Sequence, residues 1–411
     1  MTDKLPDADW LTAATTQKVI AALEAAKPHG SRFVGGCVRN TLMGRDVDDI
    51  DLATQLEPDQ VIAALEAAGI RTIPTGIEHG TVTAVVDHAP FEITSLRRDV
   101  ETYGRRAVVA FTEDWSEDAM RRDFRLNALY AEPDGTLHDP TGGGIEDAEA
   151  GKVIFIGDAD TRLREDYLRI LRFFRFNAWY GAGIDADGLS ACDRQKVGLS
   201  RIAVERIWKE LKKILAAPDP RGVLTAMVRI GLMEDVFRAV DGVSVLSPLL
   251  YMEREARLDS DPLRRLMAFL PKNVDIVASI AAGLKLSNLE KERLRNWAAA
   301  DTAFVSDLGG PGLRSALYHL GEETVIDAVL LTAAGAGGPD IEVALAGLAE
   351  ARGWQPVRFP LAGQDLINAG LKPGPMVGQL LEELETVWIK SDFRMGKSEL
   401  LALLQEELKR D

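Results

Sequence analysis

Two cysteines, Cys37 and Cys192, are all that this 411-residue chain contains. They are too few for a disulfide framework or a four-thiolate zinc site. Histidine is scarce as well, with five residues scattered singly. Long apolar runs are missing: the longest stretch without a charged side chain, Ala328–Pro339, falls far short of a membrane span. No cationic start precedes an apolar segment, so no secretory signal is expected. Aromatics are sparse at 6%, yet hydrophobic residues reach 46% and charged residues 27%. That is a soluble globular composition with cores for roughly two to four domains. The expectation is a cytoplasmic protein with no membrane partner and no structural metal.

A net positive charge is also lacking. Forty-eight Lys and Arg against 64 Asp and Glu leave −16, which argues against broad electrostatic attraction to nucleic acid. The distribution says more than the sum, because Arg162–Lys213 holds twelve basic and seven acidic residues. A basic belt inside an acidic protein can hold a polyanion locally; a merely solvated helix face is the other reading.

Periodicity divides the chain in two. Up to about residue 140, helical patterns (Thr16–Ala26, Pro58–Ala68) alternate with strand patterns (Arg32–Val34, Asp49–Leu52, Thr81–Val86, Phe91–Ser95), and His88-Ala89-Pro90 reads as a hairpin turn. This predicts an α/β or α+β head with a small, mostly non-parallel sheet. Beyond Gly142-Gly143-Gly144, apart from a possible strand at Val153–Ile156, helices dominate: Thr161–Tyr180, Ala203–Ala216, Pro220–Ile230, Leu289–Ala300 and Ser398–Leu408.

The head carries Val34-Gly35-Gly36-Cys37-Val38-Arg39-Asn40 and then Asp49-Ile50-Asp51-Leu52. Residues two apart on a strand share a side, so Asp49 and Asp51 project together while Ile50 and Leu52 face the core. Two adjacent carboxylates repel unless a cation neutralises them, and Mg²⁺ favours one or two carboxylates plus phosphate oxygens. Gly35-Gly36 at a strand-to-helix turn lets backbone N–H groups approach a phosphate, and Arg39 adds a fixed charge. Alone, an Asp-x-Asp pair or a Gly-Gly turn is weak evidence; together they describe a metal-bound nucleoside triphosphate. Two-metal phosphoryl transfer commonly needs a third carboxylate. Glu92, between Phe91 and Ile93 on a nearby strand pattern, is the best source and Asp87 the next; an outward-facing strand glutamate is the alternative.

Arg121-Arg122-Asp123-Phe124-Arg125-Leu126-Asn127-Ala128 is predicted to be helical. Arg122 is placed to clamp phosphate, Asp123 to orient an arginine and Asn127 to bond backbone or sugar. For Arg121 an internal pairing with acid weighs as much as ligand contact. In Arg164–Phe176, at about 100° per residue, Tyr167, Ile170, Leu171, Phe174 and Ala178 gather on one arc. Asp166, Arg169, Arg172 and Arg175 step around the other side. An Asp beside an Arg supplies an acceptor and a two-pronged donor, which suits a base edge. Phe173, near the polar side, is placed to stack on a ring. Simple i,i+3 ion pairing along the helix is the bland alternative.

These segments resemble the class II CCA-adding tRNA nucleotidyltransferase and bacterial poly(A) polymerase family, within the polymerase-β-like nucleotidyltransferases. The likeness rests on Gly35-Gly36, Arg39 and Asp49-x-Asp51; on Arg121-Arg122-Asp123-Phe124 with Asn127-Ala128; on Glu165-Asp166-x-x-Arg169 with Arg172 and Arg175-Phe176; and on Ser200, Glu205-Arg206-Ile207 and Glu210-Leu211. It implies a multidomain α+β protein. A nucleotidyltransferase head with a small mixed sheet (1–140) would precede an all-α neck (141–215) that recognises the base, a helical body (216–300) and an RNA-binding tail (301–411). It further implies Mg²⁺ on Asp49 and Asp51, the nucleotide on Gly35, Gly36, Arg39, Arg122 and Asn127, and Asp166 with Arg169 as a protein template for CTP or ATP, with Arg172 and Arg175 nearby. Asp139–Gly151 resembles the family's flexible connection between head and neck. Asn40 departs from the usual Asp and Arg125 from a usually small or β-branched residue. Some relatives carry a histidine–aspartate phosphohydrolase domain, but His319 is the only histidine after His138, which argues against a His-rich metal site there.

The reaction expected is template-independent addition of C, C and A to the 3′ end of tRNA from CTP and ATP, with pyrophosphate leaving. Three alternatives stay open: a poly(A) polymerase, an enzyme adding only part of CCA, and a catalytically silent RNA-binding protein. The C-terminal Gln405–Asp411, with three acids against two bases, is unlike the strongly basic extension usual in the poly(A) enzymes and disfavours that choice. Oligomeric state and tRNA contact residues stay open as well.

Overall fold

Period-two alternation becomes β-structure in a computed structural model that describes residues 3–103, 106–232, 234 and 242–407. The chain divides into two compact units, Met1–Leu232 and Met233–Asp411. The first unit contains β1 (Ser31–Val34), β2 (Ile50–Thr54), β3 (Arg71–Gly76), β4 (Thr81–Val86), β5 (Ala89–Ser95), β6 (Arg97–Tyr103), β7 (Arg106–Phe111), β8 (Tyr130–Ala131) and β9 (Leu137–His138). Seven of these make one sheet in the order β3-β4-β5-β2-β1-β8-β9, while β6 and β7 form a separate ribbon. Only β2 and β5 run parallel in that sheet, and their register sets Asp51 opposite Glu92. The mixed, mostly antiparallel sheet is the one expected. The β4–β5 hairpin turns on Asp87 and His88, at φ 49° and 68°, one step earlier than the proline suggested, because a two-residue loop of matching twist needs both residues left-handed.

Helices α1 (Asp9–Thr12), α2 (Ala14–Ala26), α3 (Gly36–Leu42) and α4 (Pro58–Ala67) surround this sheet. α4 begins with Pro58 and a capping box in which Glu57 N–H donates to Gln60 Oε1 at 2.9 Å. Its Val61 and Leu65, one turn apart, are fully buried, and α4 packs on α2, β3, β4 and β5. The unit continues through α5 (Trp115–Met120), α6 (Gly144–Ala150), α7 (Ala159–Glu165), α8 (Leu168–Tyr180), α9 (Ala186–Gln195), α10 (Val204–Leu215) and α11 (Arg221–Arg229).

Three expectations are corrected here. Thr161–Tyr180 is two helices, not one, because Asp166 is extended (φ −149°, ψ 105°) and its carboxylate accepts from Leu168 N–H at 3.0 Å, a local bond that competes with helix continuation. Arg121–Ala128 is not helical beyond a 3₁₀ turn at Arg125–Asn127. Asp123 again supplies the competing acceptor, taking Phe124 N–H and the Asn127 amide, each at 3.0 Å. Val153–Ile156 makes no strand, only an isolated bridge from Phe155 to Phe124.

The second unit is helical: α12 (Val243–Glu255), α13 (Pro262–Met267), α14 (Val274–Gly283), α15 (Asn288–Ala299), α16 (Pro311–Ala334), α17 (Ile341–Gly353), α18 (Gly363–Asn368), α19 (Pro375–Lys390) and α20 (Lys397–Glu407). α16 breaks at Gly321, where φ is 78°. A buried ion cluster joins four of these helices through Glu253, Arg264, Arg265, Arg293 and Asp327. An apolar cluster of Leu361, Leu366, Leu384, Trp388, Leu400 and Leu404 holds the end of the unit. The expected final helix ran to Leu408, which lies outside the described residues. Among the described residues no helix is long and apolar enough to cross a membrane.

Candidate active site

β1 runs into Gly35, whose φ of 69° and ψ of −114° a side chain would resist. The chain then enters α3 at Gly36, and one turn later Arg39 points inward, 6% exposed. Its guanidinium is held on all sides. Nε and Nη2 donate to Asn40 Oδ1 at 3.1 and 2.8 Å, Nη1 to Asn127 Oδ1 at 2.6 Å, and Nη2 to the Tyr180 hydroxyl at 2.9 Å. Asn40 thus gives Arg39 a neutral acceptor, while its own amide donates to the Asp46 carbonyl at 2.8 Å.

Alternation on β2 points Leu52 inward, 1% exposed, and Asp51 to the other face, beside Glu92 of the parallel neighbour. Asp49 lies just before the strand and is exposed. Burial pushes the Asp51 carboxyl up to about 6. Glu92 and Asp49 add to the rise, while Arg122 and Arg39 oppose it. The three acids thus share one field without forming a ready cage. Among the described residues no three His, Cys, Asp or Glu side chains converge closely enough to hold a metal. An acidic pair of this kind fits an ion that brings the rest of its coordination from substrate phosphate and water. Asp87, the other candidate acid, sits in the β4–β5 turn.

The arginines beside this field are anchored by acids. Asp118 on α5, 1% exposed, accepts from Arg121 at 2.7 and 2.9 Å, from Arg122 at 3.0 and 3.2 Å and from the Tyr130 hydroxyl at 2.7 Å. Burial alone would raise its carboxyl, but Arg122 and Arg121 win and hold it at about 2. Arg121 also donates to the Arg97 carbonyl at 3.1 Å, so it ties α5 to β6. Arg122 stays nearer the acids, with Nη1 3.5 Å from the Asn127 carbonyl. Arg125 pairs with Asp147 of α6 at 2.7 and 2.9 Å. The segment from Asp139 is organised locally as well, its carboxylate accepting from the backbone of Gly143 and Gly144 at 2.7 Å each.

Asn127 uses both amide atoms inside the protein, on Arg39 and on Asp123. Asp123, 7% exposed, in turn takes Arg172 Nε at 2.8 Å. A continuous polar chain thus runs from α3 through Asn127 and Asp123 to α8. At the α7–α8 break, Asp166 Oδ2 accepts from Arg206 of α10 at 3.0 Å. Arg169 meets Glu165 and donates to the Arg162 carbonyl at 2.8 Å, and Arg175 pairs with Glu210 of α10 at 2.7 Å. Phe173 corrects the expected stacking role. It is fully buried and stacks on Phe155 with ring centres 5.3 Å apart, because the buried arc of α8 also takes in Leu168 and Phe176.

Asp118 and Tyr180 escaped sequence reasoning, and Arg206 was noticed only as part of a motif. Asp118 left one usable signal, an acid three and four residues before the Arg121-Arg122 pair.

Residues 31–154 match the family described as the Poly A polymerase head domain, and residues 183–242 match one described as the probable RNA and SrmB-binding site of polymerase A. The chain is 34% identical over 400 residues to CCA tRNA nucleotidyltransferase 1, mitochondrial, of Danio rerio, covering 91% of this chain and 87% of that protein. It is 31% identical to the CCA-adding enzyme of Limosilactobacillus fermentum, covering 95% and 98%. The solved Bacillus stearothermophilus CCA-adding enzyme in complex with CTP superposes with a TM-score of 0.74 at 26% identity, over 97% of this chain and 98% of that one.

Proposed function

The chain belongs to the class II CCA-adding tRNA nucleotidyltransferase and bacterial poly(A) polymerase family, and on that premise we propose how its residues divide the work of the reaction. The reaction is template-independent addition of C, C and A to tRNA 3′ ends from CTP and ATP. The RNA 3′-hydroxyl attacks the α-phosphate and pyrophosphate leaves. The family's chemistry is that of a divalent metal. Asp49 and Asp51 would hold it, with Mg²⁺ the ion that suits them and Glu92 the flanking third carboxylate; bound there, it supplies charge neutralisation at the α-phosphate and an acidified 3′-hydroxyl. Gly35 and Gly36 let the backbone approach the triphosphate, Arg39 and Arg122 face its charge, and Asn127 keeps Arg39 aimed.

Base choice falls to Asp166 and Arg169. Cytosine and adenine each present an amino donor next to a ring acceptor. A carboxylate accepts from the first and a guanidinium donates to the second. Uracil and guanine present a carbonyl where the amino group would be, which the carboxylate repels. Arg172 and Arg175, held by Asp123 and Glu210, line the same helix. The parts are a head at 1–140, a neck at 141–215, a body at 216–300 and an RNA-binding tail at 301–411. The two buried cysteines suit a reducing compartment, and the cytoplasm is the location assigned here.

One observation supports this division most: the β2–β5 register that pairs Asp51 with Glu92 one element away from Arg39. The test is product sizing at single-nucleotide resolution on tRNA ending before CCA. Growth by two with CTP and by three with CTP and ATP, then a stop, is expected. A long A ladder on generic RNA would mean a poly(A) polymerase, a stop at two a CC-adding enzyme, and no growth a silent RNA-binder.

A further inference from the structure

Arg39 differs from the arginines around it in the kind of partner it has. Arg121, Arg122, Arg125, Arg169, Arg172 and Arg175 each meet a carboxylate. Among the described residues Arg39 meets none: its acceptors are two side-chain amides and a phenol. Neutral acceptors orient a guanidinium without cancelling its charge, so an anion arriving there meets a cation that no contacting carboxylate has neutralised, with Asp123 acting only from a distance. Such a group is costly to bury, and burial indeed lowers the Arg39 pKa. Something must therefore hold it firmly.

Tyr180 does so twice over. Its hydroxyl accepts from Arg39 Nη2 at 2.9 Å, and the guanidinium carbon lies 4.0 Å from its ring centre, close enough for a cation–π contact. Arg45 approaches the same ring at 5.1 Å and donates to the Trp179 carbonyl. Tyr180 is also the last residue of α8, the helix that begins at the Asp166–Arg169 end. From Arg169 to Tyr180 the rigid helix spans about 16 Å. One end would read the base while the other grips the arginine that faces the triphosphate.

We propose that Tyr180 is a positioning residue: it holds Arg39 for the triphosphate and so fixes the register between phosphate binding and base reading. This rests on the reading of Arg39 as a triphosphate ligand given above. Because the link acts on phosphate rather than base, it serves CTP and ATP alike.

The test compares the full-length enzyme with Tyr180→Phe, which keeps the ring, and Tyr180→Leu, which removes ring and hydroxyl. Steady-state addition is followed with CTP on tRNA ending before CCA and with ATP on tRNA ending in CC, with inorganic tripolyphosphate as competitive inhibitor. Tyr180→Phe is expected to raise KM for CTP and ATP together by roughly tenfold, the scale of one hydrogen bond to a charged group, with kcat within about twofold. The tripolyphosphate inhibition constant should weaken by the same factor, and Tyr180→Leu should add roughly threefold more. An unchanged KM in Tyr180→Phe, a change for one nucleotide only, or a kcat loss without a KM change overturns the proposal. If Tyr180→Leu unfolds, Tyr180→Phe decides alone. A wild-type enzyme that adds no nucleotide overturns the functional reading itself, and does so before any variant is compared.

Discussion

Asp51 is half-buried between Glu92 and Asp49, and its folded-state value of about 6 stands above the ordinary 3.8. The folded protein therefore binds that proton more tightly than the unfolded chain. Without metal, the contribution to stability rises as pH falls through about 6 and is lost as pH rises above it. Keeping the group ionised at neutral pH costs at most about 3 kcal/mol, and solvent screening brings that nearer about 1 kcal/mol. Asp51→Asn copies the protonated form. It is expected to raise the metal-free Tm by about 1–3 °C while cutting nucleotide addition at least roughly a thousandfold. A thermal scan beside product sizing checks both: a variant that is still active removes Asp51 from the metal pair, and one that is less stable contradicts the raised value of its carboxyl. Asp118 has the opposite sign. Its value near 2 lies below that of the unfolded chain, so its stabilisation is present above about pH 4 and disappears as pH falls toward 2. Asp118→Asn leaves two half-buried guanidinia short of charge and should cost roughly 2–4 kcal/mol at pH 7. Urea unfolding should show that gap closing below pH 4.

At the scale of elements, what could be read from sequence was what lies close along the chain. Gly35-Gly36, Arg39 and Asp49–Asp51 sit on consecutive elements, so spacing alone brought them together; apolar alternation marked Phe91–Ser95 as a strand, but its parallel pairing with β2, which sets Glu92 opposite Asp51, is a long-range contact. The helix break at Asp166 could not be read. Arg164–Phe176 has a good helical period, and the bonds that divide it come from one carboxylate and from Arg206, forty residues away. Tyr180 reaches Arg39 across a still longer gap, where periodicity carries no information, whereas Asp118 had only its short spacing to Arg121 and Arg122 to mark it. The break depends on a close fit as well. A Cβ on Gly198, in the 3₁₀ turn Lys196–Arg201, would lie 2.0 Å from the Tyr167 ring. Tyr167 immediately follows Asp166, so Gly198→Ala must push the ring and disturb the turn that presents the carboxylate. A loss of about 1–3 kcal/mol is expected from the overpacking, together with a rise in UTP or GTP misincorporation relative to CTP. Competition assays on tRNA lacking CCA would show it. Unchanged discrimination would mean that base choice does not depend on how Asp166 is set.

At the scale of the whole molecule, a protein of net charge −16 has to bind a polyanion. Ion pairing around the site is dense, with Arg121, Arg122, Arg125, Arg169, Arg172 and Arg175 each held by an acid, so the cations that meet RNA lie outside that set. On α10, Lys209 and Lys213 are exposed and meet no carboxylate among the described residues. The Lys213 pKa is lowered by partial burial and by Arg175, Lys209 and Arg172 nearby, which together outweigh the opposing pull of Glu210. With a net charge this negative opposing the polyanion, tRNA binding is expected to rest on about three or four phosphate contacts. Each released counterion steepens the salt dependence, so log affinity against log salt should fall with a slope of about −3, roughly a 50-fold loss between 50 and 200 mM salt. Removing two of those cations in Lys209→Ala/Lys213→Ala should flatten the slope by about 2. Fluorescence anisotropy on labelled tRNA measures both slopes, and EDTA in the same buffer should abolish addition while leaving binding in place. A slope that the double variant leaves unchanged would put the RNA backbone elsewhere and make the α10 lysines a solvated face.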